Sequence, residues 1–392
     1  IPVLYFGIGA FAPDSVAYLL PAIMLAFGIG FFEFYLETFR ARQETQPYMW
    51  ATIMRAGAAL GLSLVLVMVL NLGGMGLLTS IALSYFVTAL FYSTLVWRGP
   101  RNPFDRATLR AMLAFGLPMT LSGTVFVLQT MLDRLVVASM MGEHAAGIYG
   151  ASADLVRQII LFPGVAIGTA VAPIAIRLMA RQDKGAVDRH MVDSTELLLA
   201  VLAPAIAGLA IIAPKLAALV LGEEFRVEAT YLVPIIAAAW LFRSISYQLL
   251  HVSFQIQKKP GLMLAQGIAI CAINAVGLFV LVPRFGLLGA AWSMVISEGV
   301  GVVIGYALSR LAYPLPLDTA SFVKVGAAIL GMAVPTYLID RALPGMGALE
   351  IALPVLVGVL TYGLCAYALN IVGIRGRLKT LRTGSAELPA GR

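Results

Sequence analysis

Four arginines interrupt stretches of sequence that are otherwise almost free of charge: Arg55, Arg134, Arg157 and Arg243. A guanidinium stays charged in any surroundings and presents a planar fork of donors that can hold phosphate oxygens bidentately. These four are therefore candidate binding groups for an anionic, phosphate-bearing substrate. Glu33, Asp133, Asp154 and Glu298 lie in stretches of the same kind. Carboxylates withdrawn from water are candidates to hold a proton or a sodium ion, which makes them the ion-coupling or gating candidates. No metal site is expected. Cys271 and Cys365 fall inside apolar stretches without ligand spacing, and His144, His190 and His251 are far apart in sequence.

Spacing groups these residues. Ser122, Gln129 and Asp133 are seven and four apart, hence on one stripe of a helix, and Asp154 and Arg157 are three apart. Arg243, Tyr247 and His251 form another stripe at four-residue intervals. Asp133 with Arg134, or Asp154 with Arg157, can be read as an ion pair that locks helices or as a direct substrate contact. Arg243 has no carboxylate near it in sequence and sits at mid-span, which favours substrate contact. Arg55 and Glu33 share a depth on adjacent spans, so a mutual salt bridge and a cytoplasmic entry site are both open.

The elements that position them are set by composition. The 392 residues are 60% hydrophobic and only 12% charged, whereas soluble domains carry about 25% charged residues. Hydrophobic runs of the length that crosses a bilayer, roughly 20 residues, follow one another with short polar breaks. A short one ends near Gly9, and others cover about 16–38, 48–70, 75–97, 111–138 and 147–176. Six more cover about 194–220, 229–253, 262–282, 287–309, 321–339 and 349–372. Prolines 118, 163, 173, 204, 234 and 354 lie in or near the ends of these runs, where they serve a kink or are absorbed by packing. Alternate breaks differ in charge. One set, ending with the tail from 375, collects nineteen Lys and Arg; the other holds Arg226, Arg284 and Arg341 and is otherwise acidic, with Asp14, Glu143, Glu223, Glu224, Glu228, Asp340 and Glu350. The positive set, and with it the C-terminus, is therefore expected in the cytoplasm. The net charge of +7 belongs to a rim facing anionic lipid and calls for no nucleic acid.

The chain also repeats itself. A shift of 213 positions carries Tyr18-Leu19-Leu20-Pro21 onto Tyr231-Leu232-Val233-Pro234, Pro47 onto Pro260, Gly73 onto Gly286 and Gly76 onto Gly289. Ser80 and Ser84 fall on Ser293 and Ser297. An even number of spans per copy keeps both in one orientation, so two parallel six-helix lobes around a cavity are expected. The first copy lacks a counterpart of residues 109–213 and the chain begins with Ile. An N-terminally truncated first lobe is expected over 1–107, a second lobe over 108–312, two extra helices over 313–373 and a basic tail over 374–392.

The stretch Leu113 to Ile176, with Pro118, the Asp133-Arg134 pair, the Gly147-x-Tyr149 turn and Pro173, resembles helices of the polysaccharide-transport flippases of the multidrug/oligosaccharidyl-lipid/polysaccharide exporter superfamily. GEEF at 222–225 and RFGLLGAAW at 284–292 resemble that family too. The resemblance implies an all-α polytopic protein of the bacterial inner membrane. It would turn a polyprenyl-pyrophosphate-linked oligosaccharide from the cytoplasmic to the outer leaflet by alternating access. It further implies membrane lipids as partners, a monomeric state, and a groove for the polyprenyl tail beside the last two helices, Phe322 to Ile339 and Ile351 to Val372. No cofactor is expected. With no ATP site in the sequence, the energy would come from a proton or sodium ion held by the carboxylates above, from the membrane potential or from downstream sugar consumption.

Other functions fit less well. A multidrug or cation antiporter of the same superfamily would favour an acidic, aromatic cavity over four intramembrane arginines. A major-facilitator-type carrier shares the parallel halves, but nothing beyond Asp133-Arg134 points to it. A membrane polymerase or ligase would need reactive side chains in a sizeable outer loop, and no nucleotide loop, paired-carboxylate motif or nucleophile triad is present.

Overall fold

A computed structural model describes residues 16–42, 44–97, 105–316 and 318–376. The run ending near Gly9, Asp14, and the tail beyond Gly376 lie outside them. Among the described residues every regular element is helical, and ten helices are long and apolar enough to cross a membrane. The chain divides into two compact units, one running to Asp105 and one from Arg106.

In the first unit, α1 (Val16–Ala41) and α2 (Thr45–Ser63, continued by a π turn over Leu64–Val69) both pack on α3 (Gly73–Val96). Aromatic side chains form its core. Phe32 meets Tyr85 edge-on at 5.4 Å, Phe39 meets Tyr92 at 5.6 Å, and Trp97 Nε1 donates to the Tyr35 hydroxyl at 3.3 Å. Gly73, which opens α3, has φ +52°, a left-handed conformation that glycine adopts without a Cβ clash.

In the second unit, α4 (Arg106–Met141), α5 (Glu143–Ala180) and α6 (Lys184–Val220) are followed by α7 (Glu223–Ile245), which continues through a π turn at Ser246–Leu250 to Ile256. Pro260–Ser309 is one helical run broken at Gly286 (φ 59°, ψ −135°) into α8 (260–285) and α9 (287–309). The two runs expected at 262–282 and 287–309 are thus hinged directly on each other. Asp183 and Asp318 accept from backbone N–H groups at the starts of α6 and α10 (Thr319–Ala342), filling donors that a helix start leaves unpaired. Helices α10 and α11 (Ala348–Ala368) pack on each other and on α6. The six prolines singled out from sequence all sit inside α4, α5, α6, α7 and α11.

The short link from α9 to α10 is tied to α6 and to the end of α7. Tyr313 donates to Asp188 at 2.6 Å, and Ser253 donates to the Tyr313 carbonyl. Burial, with the Asp188 carboxylate adding to it, pushes the Tyr313 phenol well above its ordinary range. The Ser321 hydroxyl bond, joined by the backbone donors, holds Asp318 below its ordinary value against a smaller opposing effect of desolvation.

Candidate functional site

The second unit has a polar interior, built where α4, α7, α8 and α9 meet. The predicted stripe of Ser122, Gln129 and Asp133 is buried along α4. Asp133 does not pair with Arg134. Its carboxylate accepts from Asn274 Nδ2 of α8 at 2.5 Å and from the Tyr149 hydroxyl of α5 at 3.3 Å. Asn274 Oδ1 in turn accepts from Ser293 Oγ of α9 at 2.9 Å. One chain of hydrogen bonds therefore crosses from α9 through α8 to α4.

Arg243 lies beside it and is 3% exposed, with Glu298 0% exposed. Its Nε and Nη2 both bond Glu298 Oε1, at 2.8 and 2.7 Å, while Trp240 and Phe126 present ring faces to the guanidinium at 5.1 and 5.4 Å. The sequence offered Arg243 no partner because Glu298 is 55 residues away; folding supplies one and closes the guanidinium off from any ligand in this conformation. Because both donors use one oxygen, Glu298 Oε2 and Arg243 Nη1 have no hydrogen-bond partner among the described residues. The same holds for Gln129 Oε1, Tyr247 Oη and Gln266 Oε1. A buried polar atom without a partner costs about 1–3 kcal/mol, so five in one interior mark it as a place for chemistry rather than packing. Asp133 and Glu298 against Arg243 give this interior a formal charge of −1, which suits a cation or a proton.

The inner stripe of α7 is bent by the π turn. Tyr247 lies tilted against His251 at 4.6 Å and meets Phe126 edge-on at 4.9 Å. Gln266 donates to Ser246 at 3.2 Å and to the Gly301 carbonyl at 2.9 Å. Tyr149, Gln266, Asn274 and Ser293 are members that the spacing argument missed. Two signals were present: Asn274 is an amide in an otherwise apolar run, and Ser293 recurs in the repeat as Ser80.

A second group opens outward. Arg134 forms an ion pair with Asp154 of α5 at 2.6 Å and reaches the Gly150 carbonyl at 3.4 Å. Both expected pairings, Asp133–Arg134 and Asp154–Arg157, are thus replaced by one between helices. Neighbouring residues on a helix point about 100° apart, so Asp133 enters the bundle while Arg134 turns to α5 and takes Asp154. Arg157 is left exposed and without an ion pair among the described residues.

In the first unit the expected Arg55–Glu33 bridge is absent among the described residues. Arg55 is half-buried over the rings of Tyr85 at 4.7 Å and Phe32 at 5.7 Å, while Glu33, the next residue round α1, is exposed. Cation–π contact takes the place of the salt bridge.

Finally, an apolar groove of about 550 Å³ runs between α6, α10 and α11. Ala200, Pro204, Gly208, Ile212 and Leu216 line it at four-residue intervals along α6, facing Met332, Pro354, Gly358 and Tyr362. Beside its Leu216 end, Lys215 bonds Asp340 of α10 through both the carboxylate, at 2.8 Å, and the backbone carbonyl, at 2.7 Å.

Comparison with known proteins places this geometry. A family model described as polysaccharide biosynthesis protein matches residues 13–230. A Shigella flexneri protein described as a candidate O-antigen transporter is 26% identical over 200 residues, 49% of this chain and 45% of that protein. The chain spans less than half the length of the curated relatives it matches. Among solved structures, the lipid II flippase MurJ in an inward closed conformation aligns with TM-score 0.70 and 13% identity, over 91% of this chain and 74% of that one. An outward-facing multidrug resistance MATE family transporter of the MOP superfamily aligns with TM-score 0.65 and 18% identity, over 76% of this chain and 69% of that one. The fold is that of these membrane transporters.

Proposed function

The chain belongs to the polysaccharide biosynthesis protein family, and from that premise we propose that it turns a polyprenyl-pyrophosphate-linked oligosaccharide from the cytoplasmic to the outer leaflet of a bacterial inner membrane. It does so as a flippase rather than an enzyme, by alternating access to the two sides of the membrane.

The observation that carries this reading is Arg157. It lies fourteen residues into the membrane-crossing α5, about 21 Å along the helix, exposed and without an ion pair among the described residues. A charged side chain at that depth is very costly against hydrocarbon, so it faces a watered path. With the half-exposed Arg134 one helix away, it offers a pyrophosphate the cationic contacts that a lipid-facing surface would not.

The eight residues divide by environment. Arg157 and Arg134 of the second unit receive the pyrophosphate, Arg55 of the first unit offers a separate contact for an anion, and Asp154 releases Arg134 as substrate arrives, which makes that pair a gate. Arg243 reaches substrate only by exchanging its Glu298 partner. In the conformation described it serves with Glu298 and Asp133 as the internal charge group that a proton or sodium ion would bias. Glu33, exposed on α1 one turn before Glu37, belongs to the cytoplasmic entry.

The test is leaflet-resolved mass spectrometry of polyprenyl-linked sugars in cells lacking the full-length protein and in cells restored with wild type or Arg157→Ala. Accumulation on the cytoplasmic side, relieved by wild type and not by R157A, is expected. An unchanged leaflet distribution on loss of the protein would sink the reading.

A further inference from the structure

Past the Ala200 end of the groove's lining, the same stripe of α6 continues to a carboxylate. Glu196 lies one turn beyond Ala200 on the stripe that continues through Pro204, Gly208, Ile212 and Leu216. It is 9% exposed, its Oε1 is enclosed with no hydrogen-bond partner, and no cation pairs with it among the described residues. On the facing helix Tyr362 lines the groove, its hydroxyl is likewise enclosed and unpartnered, and it lies close enough to Glu196 to interact electrostatically. A carboxylate oxygen and a phenol hydroxyl, both enclosed and without a hydrogen-bond partner among the described residues, thus lie toward one end of an apolar channel. A lone buried carboxylate is strongly unfavourable unless a donor or a cation answers it.

Depth says what can answer. The Lys215–Asp340 pair marks the other end of the groove. From Lys215 back to Glu196 is nineteen residues of continuous α6, about 28 Å, close to the hydrocarbon thickness of a bilayer, about 30 Å. Glu196 and Tyr362 therefore sit near one hydrocarbon edge, where lipid headgroups begin, and the groove extends from them along the direction of an acyl chain. The ligand that fits is an amphiphile with an apolar chain and a head that is both cationic and a hydrogen-bond donor.

We propose that the groove holds an acyl chain of an ethanolamine phospholipid whose ammonium group is bound by Glu196 and Tyr362. A primary ammonium supplies three donors and a positive charge, meeting both unpartnered oxygens and the missing countercharge. A choline head keeps the charge but has no N–H, and a glycerol head on an anionic phosphate brings the wrong charge to a carboxylate. The order of retention follows: ethanolamine above choline above glycerol. The site does not depend on what the protein transports.

Native mass spectrometry of the purified full chain, released from mixed bilayers of phosphatidylethanolamine, phosphatidylcholine and phosphatidylglycerol with matched acyl chains, reads this directly. Wild type is expected to keep one phosphatidylethanolamine in preference to the other two. Glu196→Gln is expected to lower the ethanolamine-to-glycerol ratio about tenfold, the worth of one charge-assisted hydrogen bond. Tyr362→Phe should lower it by about threefold, the scale of a neutral one. Total bound phospholipid, which reports an intact fold, should be equal in all three. Equal retention of the three lipids by wild type, or a ratio unchanged in both folded variants, overturns the proposal. Neither result bears on whether the protein flips a glycan.

Discussion

Arg55 in the first unit and Arg243 in the second meet corresponding positions of the repeat in different chemical form. The 213-residue shift carries Tyr85 onto Glu298. In the first unit that position is a phenol ring lying 4.7 Å from the Arg55 guanidinium; in the second it is a carboxylate bonded to Arg243 at 2.7 Å. The ring attracts the cation but leaves its N–H donors unfilled, whereas the carboxylate fills two of them and cancels the charge. One cation thus lies against a ring with its donors free among the described residues, and the other is closed into the protein. The backbone around them is the more alike: Gly73 and Gly286, also related by the shift, both hold a left-handed φ near +55° before the helix that carries position 85 or 298.

The sharpest way to break this contrast is to remove the closing partner. Glu298→Ala leaves Arg243 buried without its bonded partner and with only the more distant Asp133 charge to answer it, and a loss of about 3 kcal/mol in unfolding stability is expected, seen as lower yield and an earlier thermal transition in detergent. Replacing both partners, Arg243→Met with Glu298→Met, should recover most of that loss. If the double variant is no better than the single one, the pair is not self-contained.

Lys215→Met tests a second closed cation. Asp340 is only 16% exposed on its side chain, and its loss of a partner should cost about 3 kcal/mol and detach α10 from α6. Faster hydrogen exchange confined to 319–342 would show it.

Converting the open cation into a closed one should do the reverse. Tyr85→Glu gives Arg55 a carboxylate, costs about 1 kcal/mol for the lost ring contact with Phe32 in addition to the lost burial, and is expected to abolish leaflet exchange of the lipid-linked sugar in the protein that folds. Activity retained in Y85E would show that Arg55 does not need its donors free.

The smallest effect is expected where neither cation is involved. The folded value of Asp318 lies below its ordinary one, so its capping contribution is complete above pH 3.8 and is lost only as pH falls through that lower value. Tyr313 is shifted upward, so its bond to Asp188 holds until pH rises above the ordinary phenol range. A thermal midpoint flat between pH 6 and 9 in Asp318→Asn and wild type alike is the expected reading. A step within that range would point to titration in the membrane interior instead.

The spans were legible because bilayer thickness imposes itself on composition: each run from 16 onward that falls in the described residues is a helix, including the pair hinged at Gly286. Partners were not legible. Asp154 looked to Arg157 three residues away and was taken by Arg134 twenty residues back, because which face of α4 turns to α5 depends on packing and not on local spacing. Glu298, Asn274 and Ser293 entered the site from helices that sequence could not place beside α4 and α7. Burial on both sides also blurs the amphipathic signal, since a helix inside a membrane bundle is apolar almost all round.

The π turn at Ser246–Leu250 gives α7 one residue more than an α-helical path needs. His251 is in consequence rotated by about 100° from where an uninterrupted helix would put it, although Arg243 and His251 are eight residues apart in sequence. The segment therefore carries a register surplus. Deleting one residue between 246 and 250 would let the backbone close into regular turns and swing the whole inner end of α7 away from Gln266, so the length of this segment, as much as any side chain in it, is under constraint.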